Sequence, residues 1–269
     1  MNNIQNDSKL QMGGNTTAFG GHRPLVFFVA FIAALAGLLF GLDIGVISGA
    51  LPFIGKEFAA DIVTQEKIVS SLLWGATLGA VLSGWCSKLF GRKLTLLLAA
   101  VIFAFGALLS AFATSAGILI GTRFFLGIAV GIASFTAPLY LSEIAPFSVR
   151  GALISMYQLM ITIGILLSFC SDTYFAGYAN IHGIIGGHWR IMLGIITIPA
   201  LLMFIGIMFL PESPRWLSMK KQDHAARAVL RTLRNSDNEV ETEMREIAES
   251  LKIKQDGMHL FLESAPFRR

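Results

Sequence analysis

Apolar residues dominate six long stretches of the chain: Leu25 to Leu51, Ile68 to Ser87, Leu94 to Ala113, Ile118 to Leu141, Ala152 to Ser171 and Ile191 to Leu210. Each is long enough to cross a bilayer as a helix, which takes about 20 residues. Four of the stretches contain no charged residue, the first contains only Asp43, and the fourth contains only Arg123. The first stretch lacks a small-residue cleavage site and reads as a retained span, not a signal peptide. Pro138 inside the fourth predicts a bend, because one backbone donor is missing there.

The pattern changes after Leu210. Pro211 and Pro214 in Pro211-Glu212-Ser213-Pro214-Arg215-Trp216 stop the last apolar run. Between Gln222 and Arg234, Ala225, Ala226, Val229, Leu230 and Leu233 recur at helical spacing. Val240, Ile247, Leu251 and Ile253 partly do so between Glu239 and Lys254. Two short amphipathic helices beneath a membrane body are expected, their charges on solvated faces. The predicted organisation is a tail over residues 1–24, a six-span bundle over 25–210, and a linker over 211–269.

Composition supports an integral membrane protein: 54% of residues are apolar, 14% are charged, and the mean hydropathy is +0.67. Of the 38 charged residues, 17 lie within residues 1–211 and 21 within the last 58. The formal charge of +4 is dispersed and accompanies no nucleic-acid motif, so nucleic acid is excluded as a partner. Cys86 and Cys170 alone support no disulfide scaffold and no CxxC site, and they are expected near opposite membrane faces as free thiols.

Cytoplasmic segments carry the excess of Lys and Arg. Lys9, Arg23, Lys88, Arg92, Lys93, Arg150, Arg215, Lys220 and Lys221 fall on one side of the spans, and Lys56, Lys67 and Arg190 fall on the other. Both termini are therefore predicted to be cytoplasmic, which leaves the Asn15-Thr16-Thr17 sequon unglycosylated. The Gly-rich segment from Asp172 to Arg190 is predicted to be an extracellular loop, with His182 and His188 exposed to solvent and not ligating metal. No phosphate loop, metal cluster or nucleophile constellation marks an enzyme, and no cofactor is expected.

The charges inside the spans carry the chemistry, since burying an ion in hydrocarbon is costly and such groups mark pathways or pairs. At a rise of about 1.5 Å per residue, Asp43 lies about 12 Å below the outer end of its span and Arg123 about 8 Å below the outer start of its own. The two can pair. Such a site either exchanges a proton as the partner distance changes or locks the first and fourth helices together. Gln158 lies about 12 Å above the inner end of the fifth span. Its amide suits a polyhydroxylated ligand and equally suits a hydrogen bond between helices. Ser155, Tyr157 and Thr162 lie near it in sequence. Gly75 and Gly79 in the second span, and Gly127 and Gly131 in the fourth, provide the small residues that close helix contacts require.

Several strings occur together and in order: Phe40-Gly41-Leu42-Asp43-Ile44-Gly45-Val46-Ile47-Ser48-Gly49, Gly84 through Gly91-Arg92-Lys93, Arg123 with Gly127 and Gly131, Pro138-Leu139-Tyr140-Leu141-Ser142-Glu143 leading to Arg150-Gly151, Gln158, and Pro211 to Leu217. From about residue 25 onward the chain resembles the sugar porters of the major facilitator superfamily, and within them the bacterial galactose, arabinose and xylose proton symporters. The resemblance implies an all-α membrane protein: the N-terminal six-helix bundle of the major facilitator fold, made of two inverted three-helix repeats, plus short cytoplasmic helices. It implies proton-coupled symport of a monosaccharide at the inner membrane. Asp43 matches the acid that takes the proton and Arg123 the arginine that modulates it. Gln158 matches a sugar ligand and Phe40 an aromatic beside the sugar. Arg92, Glu143, Arg150, Glu212 and Arg215 resemble a cytoplasmic gate network that is made in one state and broken in another. The loop after the second span departs from the family pattern, with Lys88 and Leu89 where an acid or amide and then a basic residue are usual.

Family members have two such bundles, with substrate held between them. The resemblance here covers one, so a complementary C-terminal six-helix half is the expected partner alongside the monosaccharide, the proton and membrane lipid. The competing expectations are a truncated product without activity and a membrane-bound sugar sensor.

Overall fold

The structure, a computed structural model, describes residues 24–182 and 188–263. The described residues form helices α1 (Pro24–Glu57), α2 (Ile62–Phe90), α3 (Arg92–Ala111), α4 (Ala116–Ile144), α5 (Arg150–His182), α6 (His188–Ile195), α7 (Thr197–Met208), α8 (Pro214–Met219), α9 (Asp223–Leu233) and α10 (Asp237–Glu263). Residues 1–23 of the predicted tail, with Lys9, Arg23 and the sequon, lie outside the described residues, as does Phe267-Arg268-Arg269. Taking α6 and α7 as one path, six helices are long and apolar enough to cross a membrane.

Helices outrun the apolar stretches because backbone hydrogen bonding continues until something caps it. The Asp61 carboxylate accepts from the Thr64 amide at 3.1 Å to open α2, and those hydrogen bonds hold its carboxyl below the ordinary range. Ser115 opens α4 in the same way, accepting from the Ile118 amide at 3.3 Å. The sixth span divides at Ile196, where Pro199 offers no donor to the Ile195 carbonyl and its ring crowds that carbonyl. Pro138, by contrast, does not end α4, which continues through it to Ile144.

Two expectations for the segment after the fifth span are corrected. Residues 172–182 are not loop but the last turns of α5. Asp172 ends the apolar run in sequence, yet its carboxylate packs against Gly49 of α1 and the helix carries on. His188 is buried, not solvent-exposed, because α6 begins there and draws the neighbouring Trp189 into the core. The His182 side chain lies outside the described residues.

The bundle is assembled from matched helix pairs. α2 packs on α4 and α1 packs on α5, and exchanging α1 for α4 and α2 for α5 converts one contact into the other. Three spans per repeat is an odd number, so the second repeat starts on the opposite side and runs inverted. Both close contacts use glycine. A methyl on Gly75 or Gly79 would overlap the carbonyls of Phe124 or Ile128 on α4, and one on Gly127 or Gly131 would overlap those of Leu72 or Ala76 on α2. In the mirrored contact Gly37, Gly41 and Gly45 of α1 meet Tyr157, Ile161 and Ser168 of α5, while Gly164 meets Leu38 and Leu42. Backbones touch where side chains are absent, which is how helices associate in lipid.

The linker helices form a second, smaller core of Leu217, Ala226, Leu230, Val240, Met244 and Ile247. Arg234 ties it to the bundle: it is 5% exposed, forks onto Glu243 at 2.6 and 2.7 Å, and donates to the Ile144 carbonyl at 3.0 Å. That places a cation at the negative end of α4. At the far end of the bundle Glu57 accepts from Trp189 Nε1 and from Arg190 Nη1, both at 2.6 Å. Arg190 also donates to the Ala113 carbonyl at 2.9 Å, so one side chain joins the ends of α1 and α6 to the loop after α3.

Candidate functional site

Asp43 projects from α1 among Leu39, Leu42, Val46 and Ile47, all of them buried. Gly37, Gly41, Gly45 and Gly49 of α1 face α5, and Asp43 lies on the other side of the helix, toward α4. There Arg123 Nη1 donates to Asp43 Oδ1 at 2.6 Å, with the two side chains 1% and 0% exposed. The expected pairing at matched depth is what the helix packing produces. The bond is single: Asp43 Oδ2 and Arg123 Nε are also buried, and neither makes a hydrogen bond. An ion pair removed from water is compensated only when its remaining polar atoms are satisfied. This pair is therefore only partly compensated within the bundle.

Gln158 sits on the exposed face of α5 with Ser155 and Thr162, one turn away on either side, whereas Tyr157 is buried against α1. Its backbone carbonyl accepts from Thr162 Oγ1 at 3.4 Å, and among the described residues its side-chain amide makes no hydrogen bond to another helix. Phe40 is half-buried and packs on the core one turn before Asp43. Phe40 and Gln158 flank the line where Gly37 and Gly41 meet Tyr157 and Ile161.

At the linker end, Arg92 forks onto Glu143, with Nε donating to Oε2 at 2.8 Å and Nη2 to Oε1 at 2.7 Å. Ser213 Oγ donates to the same Oε2 at 2.5 Å and also caps α8 by accepting from the Trp216 amide. Glu212 reaches the start of α3, where its Oε1 accepts from the amides of Arg92 and Lys93 at 2.9 and 3.1 Å, and from that of Ser213 at 2.9 Å. A carboxylate here faces the positive end of a helix. Burial nevertheless pushes the Glu212 carboxyl above its ordinary value, against the pull of those amides and of Arg92. Gly91 makes the approach possible: its φ of 94° suits glycine, and a side chain would strike the Glu212 carboxylate.

Of the five residues expected in this network, Arg92, Glu143 and Glu212 are brought together. Among the described residues, Arg150 and Arg215 have no carboxylate partner. Arg150 Nη2 donates to the Ala145 carbonyl at 3.5 Å and its guanidinium lies over Phe147, while Arg215 Nη2 donates to Ser250 Oγ at 3.3 Å. Arg215 lies across a cleft of about 520 Å³ that Arg92 and Glu143 also line. Sequence reasoning passed over Ser213, although a serine immediately before a helix-opening proline is an N-cap signature. It also passed over Glu57 and Trp189, for which no local signal existed.

Comparison with known proteins places this geometry. The family model described as "Sugar (and other) transporter" matches residues 29–268. The chain is 55% identical over 248 residues to the galactose-proton symporter of Escherichia coli strain K12, covering 92% of this chain and 52% of that protein. It is 52% identical over 247 residues to the arabinose-proton symporter of the same strain, covering 92% and 51%. Among solved structures it superposes with a TM-score of 0.81 and 31% identity on the MFS proton:xylose symporter XylE from E. coli bound to 6-bromo-6-deoxy-D-glucose, covering 88% of this chain and 55% of that one. The chain thus spans about half the length of the curated relatives it matches, and its bundle has the major facilitator fold. By sequence match and by architecture, the chain belongs to the sugar (and other) transporter family.

Proposed function

We propose that this chain forms one half of a proton-coupled monosaccharide symporter of the inner membrane, with both termini cytoplasmic. The observation that carries the reading is the Asp43–Arg123 pair: a carboxylate at 0% exposure within a span, held by one hydrogen bond, with its second oxygen unbonded. A proton taken by Asp43 removes its charge and its attraction for Arg123, so α1 and α4 are free to shift relative to each other. The named relatives couple galactose or arabinose to protons, and their likeness across 92% of this chain supports the same chemistry here.

Sugar binds along the α1–α5 line, with the Gln158 amide donating to and accepting from its hydroxyls and Phe40 covering an apolar face of the ring. Gln158 is exposed within this bundle, so its ligand sits against a second six-helix bundle that completes the cavity. At the cytoplasmic end the Arg92–Glu143–Glu212 cluster closes the inner side in one state. Arg150 and Arg215 take up carboxylate partners in another.

The test is uptake of labelled galactose, xylose, arabinose and glucose, with and without a protonophore, in transporter-deficient cells making this chain with and without a matching second half. Protonophore-sensitive uptake that requires the second half is the expected result. Absence of uptake in both cases, with membrane insertion verified, would refute the proposal.

A further inference from the structure

Asp172 is a second acid buried in the bundle, and neither the Asp43 pair nor the linker-end cluster uses it. It lies in α5, five residues before the end of the stretch able to span a membrane, and is 6% exposed. Both of its oxygens are buried and neither makes a hydrogen bond. The same holds for the neighbouring Ser171 hydroxyl. The carboxyl group rests directly on the backbone of Gly49, so closely that a methyl there would fall on its Cγ. Gly49 ends the glycine line of α1, and Asp172 follows Gly164 and Ser168 at successive turns of α5. The acid is thus built into the α1–α5 contact.

Among the described residues no cation pairs with it. The charged and titratable groups on the helices packed against α5 are Asp43, Lys56 and Glu57 on α1, Arg123, Tyr140 and Glu143 on α4, and His188 and Arg190 on α6. Arg123 is bonded to Asp43, Arg190 to Glu57, and Arg92 of α3 to Glu143. Tyr140 donates to the Pro211 carbonyl. Lys56 lies two turns beyond Gly49, and neither it nor His188 bonds to Asp172, whose oxygens have no partner. An unpaired carboxylate shut from water with no donor is the costliest form this side chain can take, and the neutral acid is the form that packing allows.

We infer that Asp172 is a second proton-binding site, occupied while α1 and α5 are packed together and emptied when their separation lets water reach Gly49. The chemistry is a single ionisation: the carboxyl O–H breaks, its electron pair stays on the carboxylate, and the proton passes to water. The site differs from Asp43 in kind, since Asp43 answers to a guanidinium and Asp172 to the closure of a helix contact. Its occupancy rests on burial and packing alone and stands whether or not Asp43 couples transport.

Infrared difference spectroscopy on the full chain in lipid nanodiscs tests this directly. At neutral pH the wild-type chain and the D43N variant should both show a protonated-carboxyl stretching band that shifts on labelling with [4-13C]aspartate. In the D43N background, where the other buried aspartate of the spans is gone, Asp172→Asn should abolish the band. Gly49→Leu, which wedges the contact open and keeps the acid, should also abolish it with helix content retained by circular dichroism. A band that survives in folded D43N/D172N, or one that survives in D43N/G49L, would overturn the inference. Should D43N/D172N not fold, the labelled D43N chain still decides the matter, because absence of an aspartate band there would equally overturn it.

Discussion

Single side chains in this bundle are poised by what they lack. Gln158 has a side-chain amide that bonds to no other helix among the described residues and lies on the exposed face beside Ser155 and Thr162. If sugar hydroxyls supply its partners, Gln158→Ala leaves one of them unpaired in the assembled transporter. Apparent sugar affinity should then fall by about 1–3 kcal/mol, roughly 5- to 150-fold, in a transport or tryptophan-quenching assay. Unchanged affinity would return the residue to a packing role. Glu212 makes a different prediction, about pH. Burial raises its carboxyl above the ordinary value of 4.5, so the folded state holds the proton more tightly than the unfolded chain does. That contribution is complete below the ordinary value and is lost as pH rises from there through the raised folded value. Glu212→Gln keeps an oxygen for the three amides and cannot ionise. The melting temperature of the wild type relative to E212Q should therefore decline as pH rises above about 4.5, and a flat difference would refute the assignment.

Between helices, glycine position outweighs glycine number. Gly79 and Gly84 lie on the same helix, yet a methyl on Gly79 would overlap the Ile128 carbonyl, whereas nothing lies within 4 Å of the corresponding point on Gly84. Gly79→Ala should destabilise the purified chain by about 1–3 kcal/mol through forced separation of α2 and α4. Gly84→Ala should stay within about 0.5 kcal/mol of wild type or gain from helix propensity. Thermal unfolding in detergent separates the two, and equal effects would show that the close contact does not hold the pair. The spacing of Gly75 with Gly79 and of Gly127 with Gly131 was legible in sequence. That these two pairs face each other was not, because partner choice is a property of the folded bundle.

For the molecule as a whole, what sequence conveys follows from the range of the physics involved. Twenty apolar residues are needed to cross hydrocarbon whatever surrounds them, so the six spans are visible without any tertiary information. The Asp43–Arg123 pair is visible because depth follows from a fixed rise per residue. The limits of the reading are equally physical. A charged residue ends an apolar run on paper, which hid the continuation of α5 past Asp172. A histidine in a Gly-rich stretch looks solvated, which hid the burial of His188. Glu57 with Trp189 and Arg190, and Glu212 at the start of α3, join residues more than a hundred positions apart, a separation that no local pattern spans. The central claim, that the proton on Asp43 drives the sugar, belongs to this scale because it requires both halves of a transporter. The most direct measurement compares labelled-sugar accumulation with sugar counterflow for wild type and Asp43→Asn, each made with a matching second half. The account predicts that D43N loses accumulation against a gradient and retains counterflow. Accumulation by D43N at the wild-type level, still sensitive to protonophore, would contradict it.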